Sequence, residues 1–522
     1  MRKYHQKIPN AGPEREALRR KGQFWTPNWV AEAMVGYVLS GGSHYIFDPA
    51  VGEGAFFRAA KTVASETYRT VSLLGAEIDP DALQQARKHG LSENDLSCVQ
   101  VGDFLLEPTF RRYKAIVANP PYIRHHRLSN EVKANLKKMS KDIIGTSIDG
   151  RAGLHIYFLL HALQLLTSGG RLAFIVPADT CEGVFASELW NWITTKYRLD
   201  AVITFTSEAS PFPGVDTNPL VLLIRNEEPK SHFFWTRCSK PYTNHLKDWT
   251  LSEFKVVGNS ISVLQRSIEE GLATGLSRAP IKDRSTNITL GHFAKVMRGI
   301  ATGANKFFFL TRKQAYDLGL PGEFLLPAIG RTRDITSNEV TTETMKALDE
   351  LGRPTLLFSP NGQSLESFPD AMRDYLKYGE SLELHKRILI ATRQPWYKME
   401  TRPVPPILFS YLGRRNSRFI RNFAGVVPLT GFLCIYPLNE DPIYINKLWR
   451  ILQHPKTISN LSLVGKSYGA GAIKVEPRAL EKLPIPLEIV LEIGITFQRS
   501  DSPKKNRPIQ SMLSGWDELP SA

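Results

Sequence analysis

Four consecutive residues, Asn119 to Tyr122, carry the clearest chemical signal in this chain. They read Asn-Pro-Pro-Tyr and follow an apolar run over 113–118, which predicts a buried strand. The Asn amide is therefore expected at the carboxyl end of a strand, where open α/β sheets bind their ligands. Two prolines end the strand, and Pro121 biases Pro120 toward an extended conformation with a fixed carbonyl direction.

The Asn119 side-chain oxygen and the Pro120 carbonyl would then form a rigid pair of hydrogen-bond acceptors beside the Tyr122 ring. Two fixed acceptors next to an aromatic face suit a planar amino group that has two hydrogens to donate. The structural alternative is a tight turn that happens to contain two prolines.

Three upstream segments place an acidic residue where a predicted strand ends. The first strand leads into Asp48, and the next two end near Glu77 and Asp103. Two glycines in the first turn, Gly52 and Gly54, would let the backbone approach a ligand closely at the mouth of the sheet. Their spacing departs from G-x-G-x-x-G, and a carboxylate at this turn would repel a diphosphate but help to bind an ammonium group.

Together these strand ends predict a site for an adenosine that carries a cationic amino-acid tail, which describes S-adenosylmethionine. Glu77 comes 25 positions after Gly52, close to the distance at which dinucleotide folds hold ribose hydroxyls. Asp103 can accept a hydrogen bond from an adenine amino group. A single acidic residue at the end of a strand is often the cap of the next helix. The prediction therefore depends on three such acidic residues at successive strand ends before Asn119.

The elements that must position these residues alternate between strand and helix patterns, which predicts a doubly wound α/β core with a mostly parallel sheet. Thr26-Pro27 predicts the N-cap and first position of a helix that precedes them. Strands are predicted over 44–47, 71–77, 97–101, 113–118, 171–176, 200–205 and 219–224, and helices over 53–65, 80–89, 153–167 and 184–196.

Shifts in composition divide the chain into four parts. We predict the α/β domain over 1–230, with a basic arm over 1–23, and an irregular connecting segment over 231–285. Mixed periodicity with frequent Gly, Pro, aromatic and Arg residues predicts a second, α+β domain over 286–495. The polar tail over 496–522 is expected to be disordered.

Composition favours a nucleic-acid partner and a reducing compartment. The 522 residues include 66 Lys and Arg and 51 Asp and Glu, which gives a formal charge of +15 and favours a polyanionic partner. The alternative is a basic protein that binds no nucleic acid. Four scattered cysteines without zinc-ligand spacing fit the cytoplasm. No apolar signal region opens the chain, and its longest apolar stretch, 154–166, is too short to span a bilayer.

The ordered motifs resemble the gamma class of DNA adenine-N6 methyltransferases. The resemblance is specific over 25–225 and looser over 290–485. It is carried by Thr26-Pro27, Asp48-Pro-Ala-Val-Gly-Glu-Gly54, Gly75-Ala-Glu-Ile-Asp-Pro80, Gly102-Asp-Phe-Leu-Leu106, Asn119-Pro-Pro-Tyr122, Gly169-Gly-Arg-Leu-Ala-Phe-Ile-Val-Pro177 and the segment from Phe212 to Ile224, and then by Val296 to Asn305 and Lys466 to Lys474.

The resemblance implies S-adenosylmethionine as the cofactor and a role for each matching residue. Thr26 and the turn residues Asp48, Pro49, Ala50, Gly52 and Gly54 would hold the methionine part, Glu77 the ribose and Asp103 the adenine amino group, with Phe104 near that ring. Asn119, Pro120, Pro121 and Tyr122 would grip the target adenine, and Phe212 would lie against its other face. For Phe212, a core position before a strand is the alternative.

The resemblance also implies double-stranded DNA as substrate, with the adenine flipped out because a pocket cannot reach N6 inside a duplex. The domain over 286–495 would recognise the target sequence. Its expected DNA contacts are Arg298, Arg393, Arg414, Arg415, Arg418 and Lys466. A cognate restriction endonuclease, encoded separately, is a possible partner.

Three alternatives remain open. The same acceptor pair would serve an RNA adenine or a protein glutamine. A non-catalytic DNA-binding subunit could keep this fold, although the intact motif counts against that. A fused nuclease is disfavoured because Asp370 and Glu383 form no convincing nuclease constellation.

Overall fold

The computed structural model describes residues 24–107, 111–183, 185–206, 208–213, 215, 218–280, 288–410, 417–468 and 472–496. The chain forms two compact units. The first comprises Met1–Arg284, Tyr411–Ser417 and Ser462–Val475, and the second comprises Ser285–Ser410, Arg418–Leu461 and Glu476–Ala522. The predicted arm over 1–23 and nearly all of the predicted tail lie outside the described residues.

Strands and helices alternate through the first 274 residues. They are α1 (Asn28–Ser40), β1 (Tyr45–Asp48), α2 (Ala55–Glu66), β2 (Ser72–Glu77), α3 (Pro80–Lys88), α4 (Glu93–Leu96), β3 (Val99–Val101), β4 (Tyr113–Ala118), α5 (Asn130–Ile144), α6 (Leu154–Gln164), β5 (Leu166–Pro177), α7 (Asp179–Glu182), α8 (Ala186–Lys196), β6 (Arg198–Phe205), β7 (Pro219–Arg225), β8 (His232–Cys238), α9 (His245–Leu251), β9 (Ile261–Ser267) and α10 (Ile268–Thr274).

Nine strands form one sheet in the order β3-β2-β1-β4-β5-β7-β6-β8-β9. The strands from β3 to β5 pair in parallel, so their carboxyl ends share one edge. β7 runs antiparallel to both β5 and β6. The chain order reverses between β1 and β4, which is the position where doubly wound sheets bind ligands. The predicted doubly wound α/β fold is confirmed.

Helices cover both faces of this sheet because alternate strand residues point to opposite sides. In β4, Ala115 and Val117 join a core with α1 and α2, whereas Ile116 and Ala118 join a second core with α6 and α8. The backbone at the end of β4 is therefore held by buried side chains on both faces.

All seven predicted strands are present, but three other predictions needed correction. Strand β5 begins at Leu166 rather than 171, because it continues through Gly169, whose φ of +70° a glycine accommodates. Helix α1 begins at Asn28 with Pro27 as its cap, so Thr26 is not the N-cap. The prediction of an irregular connection over 231–285 is wrong, because β8 and β9 extend the sheet through alternation that was not recognised.

The later part of the chain mixes shorter strands and helices. These are β10 (Ala294–Arg298), α11 (Asn305–Phe308), β11 (Phe309–Leu310), α12 (Arg312–Asp317), β12 (Leu325–Ile329), β13 (Glu339–Val340), α13 (Thr342–Glu350), β14 (Leu356–Phe358), α14 (Asp370–Ser381), α15 (Ile388–Ala391), β15 (Ile407–Ser410), β16 (Arg418–Asn422), β17 (Val427–Pro428), β18 (Phe432–Pro437), α16 (Pro442–Gln453), α17 (Pro455–Ser459), α18 (Leu461–Val464), β19 (Lys466–Tyr468), β20 (Ala472–Lys474), α19 (Pro477–Glu481) and α20 (Leu487–Ile493).

The second unit contains two sheets. One has the order β10-β18-β15-β16-β13 and the other the order β11-β14-β12-β17. An aromatic core that includes Phe308, Phe358 and Tyr375 packs against the four-stranded sheet. Within the described residues, no helix is long and apolar enough to cross a membrane.

A buried carboxylate ties α1 to the strands beneath it. Asp200 on β6 is 3% exposed and accepts hydrogen bonds from Tyr37 Oη at 2.7 Å and Arg225 Nε at 3.0 Å. Arg198 Nε lies 2.7 Å from its other oxygen. Both arginines also contact the more exposed Glu227, but Asp200 is their buried partner, and breaking a buried ion pair leaves an uncompensated charge.

We expect Asp200→Ala to destabilise the first unit by about 3–5 kcal/mol, because it leaves two arginines and a tyrosine without their shared acceptor. Thermal unfolding followed by circular dichroism measures the effect. Asp142→Ala, an exposed position on α5, is the matched control. Equal unfolding temperatures for the two variants would contradict this role of Asp200.

Candidate active site

The Asn119 side chain at the end of β4 is held by the segment that precedes α1. Its Nδ2 atom donates to the Phe24 carbonyl at 2.6 Å and to Thr26 Oγ1 at 3.1 Å. Both amide hydrogens are then used, and the remaining polar atom, Oδ1, can only accept. The structure therefore brings Thr26 and Asn119 together and gives the amide one orientation.

Tyr122 is anchored at its hydroxyl and surrounded by rings. Its Oη donates to the Ile175 carbonyl on β5 at 3.1 Å, and burial raises its pKa well above the usual range, so the hydroxyl stays neutral. Phe24 lies 5.7 Å from Tyr122 between ring centroids, and Phe212 lies 6.5 Å away, edge-on at 74°. The predicted pair Tyr122 and Phe212 is thus brought together, with Phe24 as an additional neighbour.

Asp48 ends β1 and is fully buried. Its Oδ1 accepts from the Ala50 amide at 3.0 Å, whereas Oδ2 has no hydrogen-bond partner among the described residues. Burial raises the pKa of Asp48 well above its usual range, and the nearby Glu77 carboxylate raises it further. A buried carboxyl with one unpartnered oxygen is stabilised by a cation.

Glu77 ends β2 and holds the glycine turn in place. Its Oε2 accepts from the Gly52 amide at 2.7 Å and its Oε1 accepts from the Asp79 amide at 2.9 Å. Burial raises the pKa of Glu77, partly offset by these two hydrogen bonds. Each carboxylate oxygen can accept a second hydrogen bond, so the turn contacts leave Glu77 able to bind hydroxyl groups.

The turn itself depends on left-handed glycines. Gly52 and Gly54 have φ values of +54° and +77°. A Cβ on Gly54 would collide with the Leu91 side chain, whereas one on Gly52 would meet only the Ala50 carbonyl at 3.9 Å. Pro49 is buried beside the turn. The open side of Gly52 is therefore free for a ligand to approach the backbone.

Asp103 follows β3 at the same edge of the sheet. The Gly102 amide donates to the Glu77 carbonyl at 2.9 Å, which places the ends of β2 and β3 side by side. Asp103 Oδ1 accepts from the Leu105 amide at 2.9 Å. Phe104 is 5% exposed and packs 5.3 Å from Phe158 between ring centroids, so its contact with a cofactor ring stays a prediction.

A family model for N-6 DNA methylases matches residues 14–298, which is more than half of the chain. A second model, for the C-terminal domain of the type II methyltransferase M.Eco57I, matches residues 278–519. The chain belongs to the N-6 DNA methylase family. It is a DNA adenine-N6 methyltransferase, as the resemblance implied.

Relatives of this N-6 DNA methylase match most of its length. The type II methyltransferase M.AccI of Acinetobacter calcoaceticus is 25% identical over 497 residues, covering 92% of this chain and 87% of that protein. M.XamI of Xanthomonas campestris pv. amaranthicola is 23% identical over 479 residues, covering 90% and 85%.

Among solved structures, the fold is similar to that of MmeI, a type IIL restriction-modification enzyme in complex with DNA. The two share 12% sequence identity with a TM-score of 0.54, covering 90% of this chain and 64% of that one. The methylase thus spans less than two thirds of that structure's length, and the likeness concerns the fold.

Two features of the methylase site were missed by sequence reasoning. Trp25 packs edge-on against His89 at 5.4 Å between ring centroids, and His89 Nδ1 lies 2.9 Å from Glu53 Oε2 on the glycine turn. His155 is 7% exposed and packs edge-on against Tyr122, 5.9 Å away. For Trp25 the sequence held one signal, since Phe24 and Trp25 are two adjacent aromatic residues directly before Thr26-Pro27. For His155 it held none.

Burial keeps both histidines neutral. It lowers the pKa of His155 to about 3, and it also lowers the pKa of His89. Burial raises the pKa of Glu53 to about 7. At neutral pH Glu53 is therefore only partly ionised and His89 is uncharged, so their 2.9 Å contact is not a full ion pair.

The predicted DNA contacts have unequal surroundings. Arg298 is exposed at the end of β10 and pairs with Glu476. Arg393 is half-buried and donates to the Ala301 carbonyl at 2.7 Å and the Thr302 carbonyl at 3.0 Å. Arg393 therefore braces a glycine-containing loop, a role that the sequence pattern did not predict.

The remaining predicted contacts are only partly described. Arg418 on β16 donates to the Ile335 carbonyl, and Lys466 begins β19. Arg414 and Arg415 lie outside the described residues. Contact of any of these residues with DNA stays a prediction.

We expect Glu53→Gln to stabilise the methylase increasingly as pH rises. The folded chain holds a proton on Glu53 up to about pH 7, whereas an unfolded glutamate releases it near 4.5. The folded state therefore binds more protons across that window, and the wild type loses stability as pH rises through it.

Thermal unfolding temperatures from pH 5 to pH 8 test this expectation. The difference between Glu53→Gln and the wild type should widen across the window and then level off. Glu228→Gln, at an exposed position, is the control and should show no such trend. A difference that is constant with pH would rule out a raised pKa at Glu53.

Proposed function

We propose that this chain transfers a methyl group from S-adenosylmethionine to the N6 atom of an adenine turned out of duplex DNA. The orientation of the Asn119 amide carries the proposal. With Nδ2 occupied by Phe24 and Thr26, its Oδ1 is an acceptor at the end of β4, beside the Tyr122 ring.

The residues at the edge of the sheet fit the proposed cofactor. The buried, unpartnered Oδ2 of Asp48 suits a cationic amino-acid tail, and Glu77 suits ribose hydroxyls. Gly52 leaves the backbone open to a ligand. When bound, S-adenosylmethionine supplies a methyl group on a positively charged sulfur.

Asn119 and Pro120 would act on the nucleophile. The N6 lone pair of adenine is delocalised into the ring, which makes N6 a poor nucleophile. Two fixed acceptors that take both N6 hydrogens favour a tetrahedral nitrogen and free its lone pair. Preorganised polar groups of this kind are worth about 3–4 kcal/mol each in transition-state stabilisation.

The second unit supports sequence-specific recognition of DNA. Its match to the C-terminal domain model of M.Eco57I and the formal charge of +15 are the observations in favour. Phosphate contacts by lysine and arginine would position the duplex, and a few side chains would read bases. Similarity to type II methyltransferases supports a place in a restriction-modification system, with a separately encoded nuclease as the counterpart.

Single-molecule sequencing of genomic DNA from cells that express this chain tests the activity and its context together. N6-methyladenine should appear at one recognition sequence in cells with the wild type and be absent in cells with Asn119→Ala. Methylation at another base, or none in DNA but some in RNA or protein, would overturn the proposal.

We expect Asn119→Ala to lower the rate of methyl transfer at least about a hundredfold, the usual loss on removing a preorganised polar group. Cofactor affinity should change little, because Asn119 acts on the nucleophile. Tritiated-methyl incorporation measures the rate and calorimetry measures the affinity. Asn130→Ala, exposed at the start of α5, is the control, and a variant that keeps a tenth of the wild-type rate would contradict the acceptor role.

We expect Glu77→Ala to weaken cofactor binding at least tenfold, through loss of the ribose acceptor and of the Gly52 anchor. Glu77→Gln should have a smaller effect, because its amide keeps one accepting oxygen. Calorimetric titration compares both with Glu131→Ala, an exposed control on α5. Unchanged affinity in Glu77→Ala would remove Glu77 from the cofactor site.

A further inference from the structure

Phe24, Tyr122 and Phe212 form a closed cluster of three rings beside Asn119. The Phe24 centroid lies 5.7 Å from that of Tyr122 and 5.7 Å from that of Phe212. The other two rings are 6.5 Å apart and nearly perpendicular, at 74°. Phe212 is 4% exposed, whereas Phe24 and Tyr122 are half-buried.

This arrangement has no slot for a planar base. A ring that stacks between two others needs them parallel and about 7 Å apart, since carbon atoms in contact lie about 3.5 Å from each other. Tyr122 and Phe212 are closer than that and edge-on, and Phe24 contacts both. An adenine can therefore stack on these walls only after a ring has moved.

Among the three rings, Phe24 is held by neither a side-chain hydrogen bond nor near-complete burial. Tyr122 is tethered by its hydroxyl to the Ile175 carbonyl, and Phe212 is almost fully buried in the core that includes α1. Phe24 is half-buried and lies four residues before the first helix. Rotation about its side-chain bonds needs no change in its main chain.

The main chain of Phe24 has a separate task. Its carbonyl accepts the 2.6 Å hydrogen bond from Asn119 Nδ2, and that bond does not involve the ring. Displacement of the ring therefore leaves the Asn119 amide in the orientation that presents Oδ1. Phe24 can therefore hold the Asn119 amide with its carbonyl while its ring leaves the space beside Tyr122.

We infer that the Phe24 ring is a stand-in for the target base. It fills the stacking space in the free enzyme and leaves it when an adenine enters, while its carbonyl continues to position Asn119. The inference rests on the proposed function, since it requires a base that turns out of the duplex. The exchange replaces one aromatic contact with another, so the rings of Tyr122 and Phe212 are covered in both states. An extruded base must therefore compete with the Phe24 ring for the same space.

Fluorine NMR on the full chain tests the displacement. A single 4-fluorophenylalanine at position 24 should shift its resonance when the enzyme binds a duplex with its recognition sequence and S-adenosylhomocysteine. The same duplex with an abasic site in place of the target adenine should cause no such shift. A 4-fluorophenylalanine at position 57, a fully buried core position, is the control and should not respond to either duplex.

Two outcomes would overturn the inference. An unchanged resonance with the adenine duplex would mean that the ring stays in place, and an equal shift with both duplexes would mean that DNA binding, not base entry, moves it. A 2-aminopurine at the target position distinguishes failure of the inference from failure of the proposed function. If its fluorescence shows extrusion while the fluorine resonance stays, only the inference fails, and if no base is extruded, both fail.

Substitution of Phe24 distinguishes a stand-in from a permanent wall of the pocket. Phe24→Ala removes the competing ring and should tighten capture of a 2-aminopurine placed opposite an abasic site by about fivefold or more, the lower range for one stacking contact. Phe24→Tyr keeps a ring and should resemble the wild type. Weaker capture by Phe24→Ala would show that adenine stacks on Phe24, which contradicts displacement.

Discussion

The parallel pairing of β1 with β2 and β4 is the constraint on which the site depends. Parallel strands bring their carboxyl ends to one edge, so residues far apart in the chain become neighbours there. Asp48 and Glu77 end two strands of this set, and Asn119 directly follows a third. The hydrogen bond from the Gly52 amide to Glu77 then fixes the turn after β1 to the end of β2. Because buried side chains on both faces hold β4, Asn119 is presented from a rigid support.

Burial makes the cofactor side of this edge electrostatically unfavourable on its own. Asp48 and Glu77 are both buried with raised pKa values, and Asp48 keeps an unpartnered oxygen. Two buried carboxyl groups are a destabilising arrangement for the folded chain alone. A bound cation would relieve it, so the two acids fit the sulfonium and ammonium groups of the proposed cofactor although they contribute little to stability themselves.

The sequence predicts what local patterns determine. Seven strands of the first unit, the acidic strand ends and the Asn-Pro-Pro-Tyr turn follow from hydrophobic periodicity and from residue types at fixed offsets, whereas the start of β5 and the strands β8 and β9 did not. It does not predict contacts between distant segments. Asn119 meets Phe24 across 95 positions, and Tyr37 meets Asp200 across 163. The hydrogen bonds from Arg393 to the loop at Ala301 and Thr302 were not predicted for the same reason. An arginine among aromatic residues has the same sequence pattern whether it binds a phosphate or a backbone carbonyl.

Three consecutive residues before α1, Phe24 to Thr26, lie between the ring cluster, Asn119 and the side chain that contacts the glycine turn. Phe24 contacts the rings of Tyr122 and Phe212, and Thr26 with the Phe24 carbonyl orients Asn119. Trp25 packs against His89, whose Nδ1 lies 2.9 Å from Glu53 Oε2 on the glycine turn. A shift of this segment would therefore change the ring cluster, the Asn119 amide and the glycine turn together. If the glycine turn holds the proposed cofactor and Asn119 the target base, this segment links the two proposed sites, because a ligand that stabilises the turn would also stabilise the segment that presents Asn119.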